Sequence, residues 1–202
     1  MPDMNVTFCS SPSPIDEVLR EFIDDRVIVF NQEVDDTMIE NVAINILKWN
    51  KEDKDIPVDK RKKIRFLISS VGGDSFVSMN IVDVIMQSKT PVIGIGLDLV
   101  ASAGYHVFLA CHERYAFNNS VFLQHDGTVT VSNSTRKAQD AMRFFSDRES
   151  NIKNFTLSRT KMTEEFYDSI YDSEYYMTAK RAKELGVVEK IIGEDIDIDE
   201  LI

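Results

Sequence analysis

Hydrophobic residues fall along this chain in two alternating rhythms. Residues 26–30 (RVIVF) are apolar and β-branched, the composition of a short buried strand. After Asp35 and Asp36, the residues Met38, Ile39, Val42, Ile46 and Leu47 recur at three- and four-residue spacing, which predicts a helix opened by the acidic pair. The polar stretch 51–63 reads as a surface connection. The pattern then repeats. Residues 64–69 form a second predicted strand, Val71-Gly72-Gly73 a tight turn, and 76–86 a helix with Phe76, Met79, Val82, Ile85 and Met86 inward. Residues 91–97 make a third strand, and 101–111 a buried helix rich in small residues. Short strands at 114–117 and 121–124 flank the turn Asn118-Asn119. Ser134 or Thr135 caps a long helix to about 157 that carries Ala138, Ala141, Met142, Phe145, Ile152 and Phe155. A helix at 178–185 stops at Gly186, ahead of a strand at 187–192. Strand–helix–strand alternation predicts an α/β fold with parallel crossovers. Residues 10–14 show neither rhythm. The expectation is therefore a flexible N-terminal arm over 1–20 and one domain over 21–202.

Composition narrows the classes of function. The chain has 202 residues, of which 43% are hydrophobic, enough to build a sizeable core. Thirty-four acids against 23 bases give a net charge of −11, which argues against a nucleic-acid partner. The basic run at 60–63 precedes an apolar strand and reads as its solvated approach rather than a phosphate patch. No apolar run nears the roughly 18 residues that a membrane span needs, and the start of the chain shows no basic stretch leading into an apolar block. Cys9 and Cys111 make neither a disulfide framework nor a CxxC pair, so a reducing, cytoplasmic setting is expected. No HExxH, phosphate-binding GxxxxGK[ST] loop or helix-opening GxGxxG occurs, and Gly94-Ile95-Gly96 lies inside a strand. No metal or cofactor is expected.

Three places could carry chemistry. Ser102, in Val100-Ala101-Ser102-Ala103-Gly104, follows a strand and opens a helix. Unpaired N–H donors and the helix dipole there suit a nucleophile whose carbonyl target develops negative charge. The plainer reading is an N-cap serine. Ser70-Val71-Gly72-Gly73 ends a strand with paired glycines that expose backbone N–H groups, or simply makes a strand-to-helix turn. His125 ends the strand at 121–124, where an imidazole can act as a general base. His106 is its rival, four residues after Ser102 on one helix face, and His112 beside Glu113 reads as a surface residue.

Taken together, these segments resemble the Clp protease proteolytic subunit family over residues 26–192. The family's strand and S-P-G-G turn appear as Ile68-Ser69-Ser70-Val71-Gly72-Gly73, and its A-S-M-G motif as Ala101-Ser102-Ala103-Gly104. Its N-S-x-x-x-x-H segment appears as Asn119 to His125, and its closing L-S-A…A…E-Y-G-L-V as Met177-Thr178-Ala179…Ala182…Glu184-Leu185-Gly186-Val187-Val188. The resemblance implies a spiral of strand–helix units, shared with crotonase-like folds, and a protruding helix near 134–157. It further implies Ser102 as nucleophile, His125 as base, and the N–H groups of Gly73 and Ala103 as oxyanion hole. The family's aspartate falls on Glu174, with Asp172 the alternative acid and Asp168 beyond it. Departures are Val71 for the turn proline, Asp98 for a glycine ahead of the nucleophile, Ser173 for an arginine, and Asp126–Val131 for a glycine-rich edge strand.

The function so implied is a serine endopeptidase working through an acyl-enzyme on unfolded polypeptide. It would sit in a homo-oligomer of seven-membered rings, fed by an ATP-driven AAA+ unfoldase. A catalytically weak or inactive ring subunit, or scaffold, is the second reading. A crotonase-like acyl-CoA enzyme is the third; it needs no serine–histidine pair.

Overall fold

The computed structural model describes residues 13–201. Five strands run parallel in the spatial order β1 (Val27–Phe30), β2 (Ile64–Ser70), β3 (Val92–Ala101), β4 (Glu113–Phe117) and β7 (Lys190–Ile192). The crossovers between them carry α2 (Ile44–Glu52), α3 (Ser75–Gln87) and α4 (Ser102–Ala110). Along β2, Ile64, Phe66, Ile68 and Ser70 are buried while the residues between them are half-buried. The buried set meets Met38, Val42, Ile46, Ile81, Ile85 and Phe108 in the main core under the helices. A smaller cluster of Ile93, Ile95, Tyr115, Ile192 and Leu201 covers the other face.

The long strand β3 forks. Ile93–Gly96 pair with β4, and Leu99–Ala101 pair with β5 (Val121–Gln124), which in turn pairs antiparallel with β6 (Tyr175–Thr178). Against β2, Ile68 faces Gly96 but Ser70 faces Val100, so β3 bulges and leaves Asp98 exposed. The strand therefore runs past its expected end at 97, because the charge sits on the bulge instead of inside the ladder. This extension carries the chain to Ser102.

Several expectations are corrected. The irregular arm expected over 1–20 gives way at Pro14, where α1 (Pro14–Asp24) begins; residues 1–12 lie outside the described part. Ser13 and Asp16 form a reciprocal capping box with proline in the first turn, a local signal stronger than the missing periodicity. The helix after Asp36 starts as a π-helical turn over Ile39–Ala43, which rotates the inward face to Met38, Val42, Ala43, Ile46 and Trp49 and leaves Ile39 and Leu47 exposed. In α3 the buried residues are Val77, Ser78, Ile81, Val82 and Ile85, while Phe76 and Met86 point outward. The final strand is confined to Lys190–Ile192. The elements α5 (Thr135–Arg159), α6 (Glu164–Ile170) and α7 (Ala179–Glu184) complete the chain, and in α5 only Thr156 is buried. Among the described residues no helix is long and apolar enough to cross a membrane.

The connection at 51–63 is not all surface. Arg26 donates to both oxygens of Asp53 at 2.6 and 2.8 Å, Thr90 adds a 2.9 Å hydrogen bond, and Asp53 is 2% exposed. Hydrogen bonding from Arg26, first of all, holds the Asp53 carboxyl below its ordinary value of 3.8. The pair ties the start of β1 to the end of α2. Its stability is fully present above pH 3.8 and is lost as pH falls through the lowered folded value. Removing one partner strands a buried charge, so Arg26→Ala should cost about 3 kcal/mol in urea unfolding near pH 7. A loss below about 0.5 kcal/mol would show that the pair is dispensable.

Candidate active site

Two close backbone approaches build the site. At the end of β2 the turn Val71-Gly72-Gly73 docks on Val34: the Val34 N–H donates to Gly72 O, and the Asp74 N–H donates to Val34 O, both at 2.7 Å. That pairing turns the N–H of Gly73 away from Val34, and among the described residues it has no partner. Gly73 has φ +143°, and a Cβ there would lie 2.3 Å from Val34 O. Gly72 has φ +103°, and its Cβ would lie 2.6 Å from Ser102 Cβ. Only glycine lets the turn fill both gaps.

Ser102 joins β3 to α4 at φ +53°, a left-handed conformation that a serine adopts at some cost. Ala101, extended at the end of β3, is the N-cap, and the Ser102 hydroxyl caps nothing. The N-cap reading therefore fails on geometry. A sharp strand-to-helix turn of this kind pushes a side chain out over the end of a sheet. Ala103 follows in the first turn of α4, where N–H groups lack intrahelical acceptors.

His125 follows the last residue of β5. Antiparallel pairing sets Gln124 opposite Tyr175, so the next residues outward, His125 and Glu174, face each other. His125 Nδ1 lies 2.8 Å from Glu174 Oε1. Asp172 is exposed two residues earlier, and the Asp168 carboxylate is held by Lys153 at 2.6 Å. Of the three candidate acids, the structure brings Glu174 to the ring. His106, by contrast, has no partner on either ring nitrogen, and burial, with a smaller contribution from His125, pushes its pKa down to about 4. His112 is exposed, and its Nδ1 accepts the Val92 N–H at 3.1 Å.

Gly73, Ser102, Ala103, His106, His125 and Glu174 all line one cavity of about 520 Å³. Among the described residues Ser102 and His125 share its wall without a mutual hydrogen bond; in unliganded sites such contacts are often long. The rim comes from α5 through Phe145, Arg148 and Ile152. Arg148 stacks 4.1 Å over the Phe76 ring and donates to Ser75 O at 3.0 Å, which explains why Phe76 faces outward. Gln124, 2% exposed, also lines the cavity. Neither Gln124 nor Arg148 carried a sequence signal, since each is placed by pairing and helix phase. Among the described residues no cluster of three His, Cys, Asp or Glu side chains is arranged to hold a metal ion.

The family model for Clp protease matches residues 12–195. The chain belongs to the Clp protease family. Similar proteins include the ATP-dependent Clp protease proteolytic subunit 2 of Bifidobacterium longum, 26% identical over 183 residues, or 89% of this chain and 84% of that protein. The proteins of the same name from Treponema pallidum and Treponema denticola are each 25% identical, over 89% and 92% of this chain and 88% and 90% of their own lengths. Membership makes the chain one of a peptidase family with the α/β architecture described above.

The buried imidazole gives a direct check on this geometry. In an NMR titration the His106 ring should stay neutral down to about pH 4, against an ordinary value of 6.5. Because the unfolded chain takes up this proton first, stability should fall as pH drops from 6.5 toward 4. A ring that titrates near 6.5 would place His106 in water and contradict the structure.

Proposed function

We propose that this protein is a serine endopeptidase, with Ser102 as nucleophile, His125 as general base and Glu174 as the carboxylate that orients the base. The observation that carries the reading is the 2.8 Å contact between His125 and Glu174 on the wall that Ser102, Gly73 and Ala103 also line. If Glu174 accepts the proton on Nδ1, the Nε2 lone pair is left for the serine hydroxyl. Ser102 Oγ attacks the substrate carbonyl as His125 takes its proton, and the oxyanion is met by the N–H groups of Gly73 and Ala103. His125 then protonates the leaving amine and the acyl-enzyme forms. A water, deprotonated by His125, hydrolyses it and frees Ser102. The crotonase-like reading offers no use for the serine and the histidine–carboxylate pair, and the match to a peptidase family does not favour the inactive-subunit reading.

We also propose self-assembly, consistent with rings. In α5, Met142 and Phe144 are about half exposed, and α1 buries nothing while presenting Ile15, Val18 and Leu19. Apolar faces of this kind are costly to leave in water. The relatives are named as ATP-dependent, yet this chain has no phosphate-binding loop. Any ATP dependence would therefore reside in a partner, an unfoldase delivering extended polypeptide, with no nucleic acid or membrane involved.

A fluorophosphonate probe should label Ser102, and Ser102→Ala and His125→Ala should both abolish labelling. Glu174→Ala should slow labelling by about 10³–10⁴-fold and Asp172→Ala should leave it unchanged. Labelling that survives His125→Ala but is lost in His106→Ala would reassign the base. Light scattering after size exclusion should give a mass of several chains, and a persistent monomer would refute self-assembly.

A further inference from the structure

A second cavity, of about 850 Å³, shares no lining residue with the candidate active site. It lies between the end of α5, the helix α7 and the segment that leads into β7. Its lining carries five arginines and lysines against three glutamates, in a chain whose net charge is −11. All three glutamates are already engaged: Glu189 by Arg114 at 2.9 Å, Glu194 by Lys180 at 3.3 Å and Glu184 by Arg181 at 2.8 Å. Lys183 pairs with Asp195 at 2.5 Å. Arg159 and Lys161 remain, and neither meets a carboxylate among the described residues. Half-buried Arg159 donates from Nε to Leu109 O at 2.9 Å and from Nη2 to Cys111 O at 2.7 Å. Those bonds hold the end of α4 and use two of the five guanidinium N–H groups. Lys161 is tied at its backbone N–H to Leu185 O at 2.7 Å. Its stem crosses Gly186, where a Cβ would lie 2.8 Å from Lys161 Cγ. Gly186 O accepts Arg114 at 3.2 Å, and Arg114 and Arg159 share Leu109 O. The cations are therefore gathered on one floor, at a cost that an anion would offset. Their field reaches His112, whose pKa is lowered by partial desolvation and then by Arg159.

We infer that Arg159 and Lys161 bind a phosphate-class dianion in this cavity, as the free ion or as a small phosphate monoester. The inference stands apart from the serine-peptidase reading. Two cations without carboxylate partners match a charge of −2, where a carboxylate would neutralise only one. Three guanidinium N–H groups and three ammonium N–H groups are left to donate. A tetrahedral dianion offers at least three oxygens to receive them, and a carboxylate two. An arginine fork beside a lysine point charge is a combination suited to phosphoryl oxygens.

The test titrates inorganic phosphate, O-phosphoserine and acetate into the full chain at constant ionic strength, read by calorimetry and by NMR of the histidine rings. Phosphate should bind saturably at one per chain and move the His112 resonances, raising the His112 pKa as it offsets the charge of Arg159. Acetate should bind at least about 10-fold more weakly. Lys161→Gln should weaken phosphate at least about 10-fold, since charge-assisted contacts are the strong ones. O-phosphoserine binding at least about 10-fold tighter than the free ion would identify a monoester as the occupant, and equal affinities the free ion. A phosphate response no larger than that of sodium chloride, or one that Lys161→Gln leaves unchanged, would overturn the inference. So would a response at His125 instead of His112, which would place the anion at the candidate active site. Ser102→Ala should bind phosphate as the wild type does, so loss of the peptidase reading would leave this result standing. Arg159→Gln also removes a support of α4, so if it does not fold, Lys161→Gln and the wild-type titration decide the question.

Discussion

Contact between main chain and main chain governs the candidate active site. The turn at Gly72 and Gly73 lies against Val34 on one side and Ser102 on the other, at separations that no side chain could share. The arrangement of the candidate site follows from that approach. The docking on Val34 leaves the Gly73 N–H unpaired, and the contact at Gly72 brings it beside the serine. A methyl group at either glycine would have to displace backbone, and that is expensive in a packed interior. The same turn also starts α3, where the Asp74 carboxylate accepts the N–H groups of Phe76 and Val77. The turn and the residues after it therefore position an unpaired main-chain N–H at Gly73, the start of a helix and the neighbour of Ser102.

A second constraint comes from the sheet. Parallel strands deliver their C-terminal ends to one edge, where α/β proteins gather ligand sites. The fork in β3 adds to this, since its last residues leave β4 and pair with β5. That detour carries Ser102 toward His125, and the antiparallel pairing of β5 with β6 carries Glu174 to the ring. Residues far apart in sequence thus meet through ladder register rather than through side-chain attraction. The His125–Glu174 contact is partly solvated, so its value lies in orientation more than in stability.

The sequence made much of this legible, and the failures have physical causes. Alternating apolar rhythms mark the strands and helices from β1 to β5, and the short motifs around 72–73, 101–104 and 119–125 mark Gly73, Ser102, Ala103 and His125. Helix phase was harder to read. Phe76 and Met86 looked inward because they are apolar, yet Phe76 serves as a platform for Arg148 on α5. Asp98 resembled a strand stop because its bulge could not be foreseen from one strand alone. Asp53 and Arg61 looked like surface charge, since burial of an ion pair depends on a partner elsewhere in the chain, here Arg26 and Thr90. The sequence favours Glu174 and keeps Asp172 as the alternative, because a two-residue shift in the β5–β6 pairing would exchange the acid that faces His125. The segments α1, α6 and β6 are short or unpartnered, and their local patterns were too weak to stand without caps and pairings.

If Ser102, His125 and the N–H groups of Gly73 and Ala103 act on one reacting carbonyl, a crystal structure of the protein carrying a phosphonate on Ser102 will show it. The phosphoryl oxygen should sit about 2.7–3.1 Å from both N–H nitrogens, with His125 Nε2 turned to the serine oxygen and Glu174 still on Nδ1. A phosphoryl oxygen pointing to solvent, or an adduct with His125 swung out of the cavity, would contradict it.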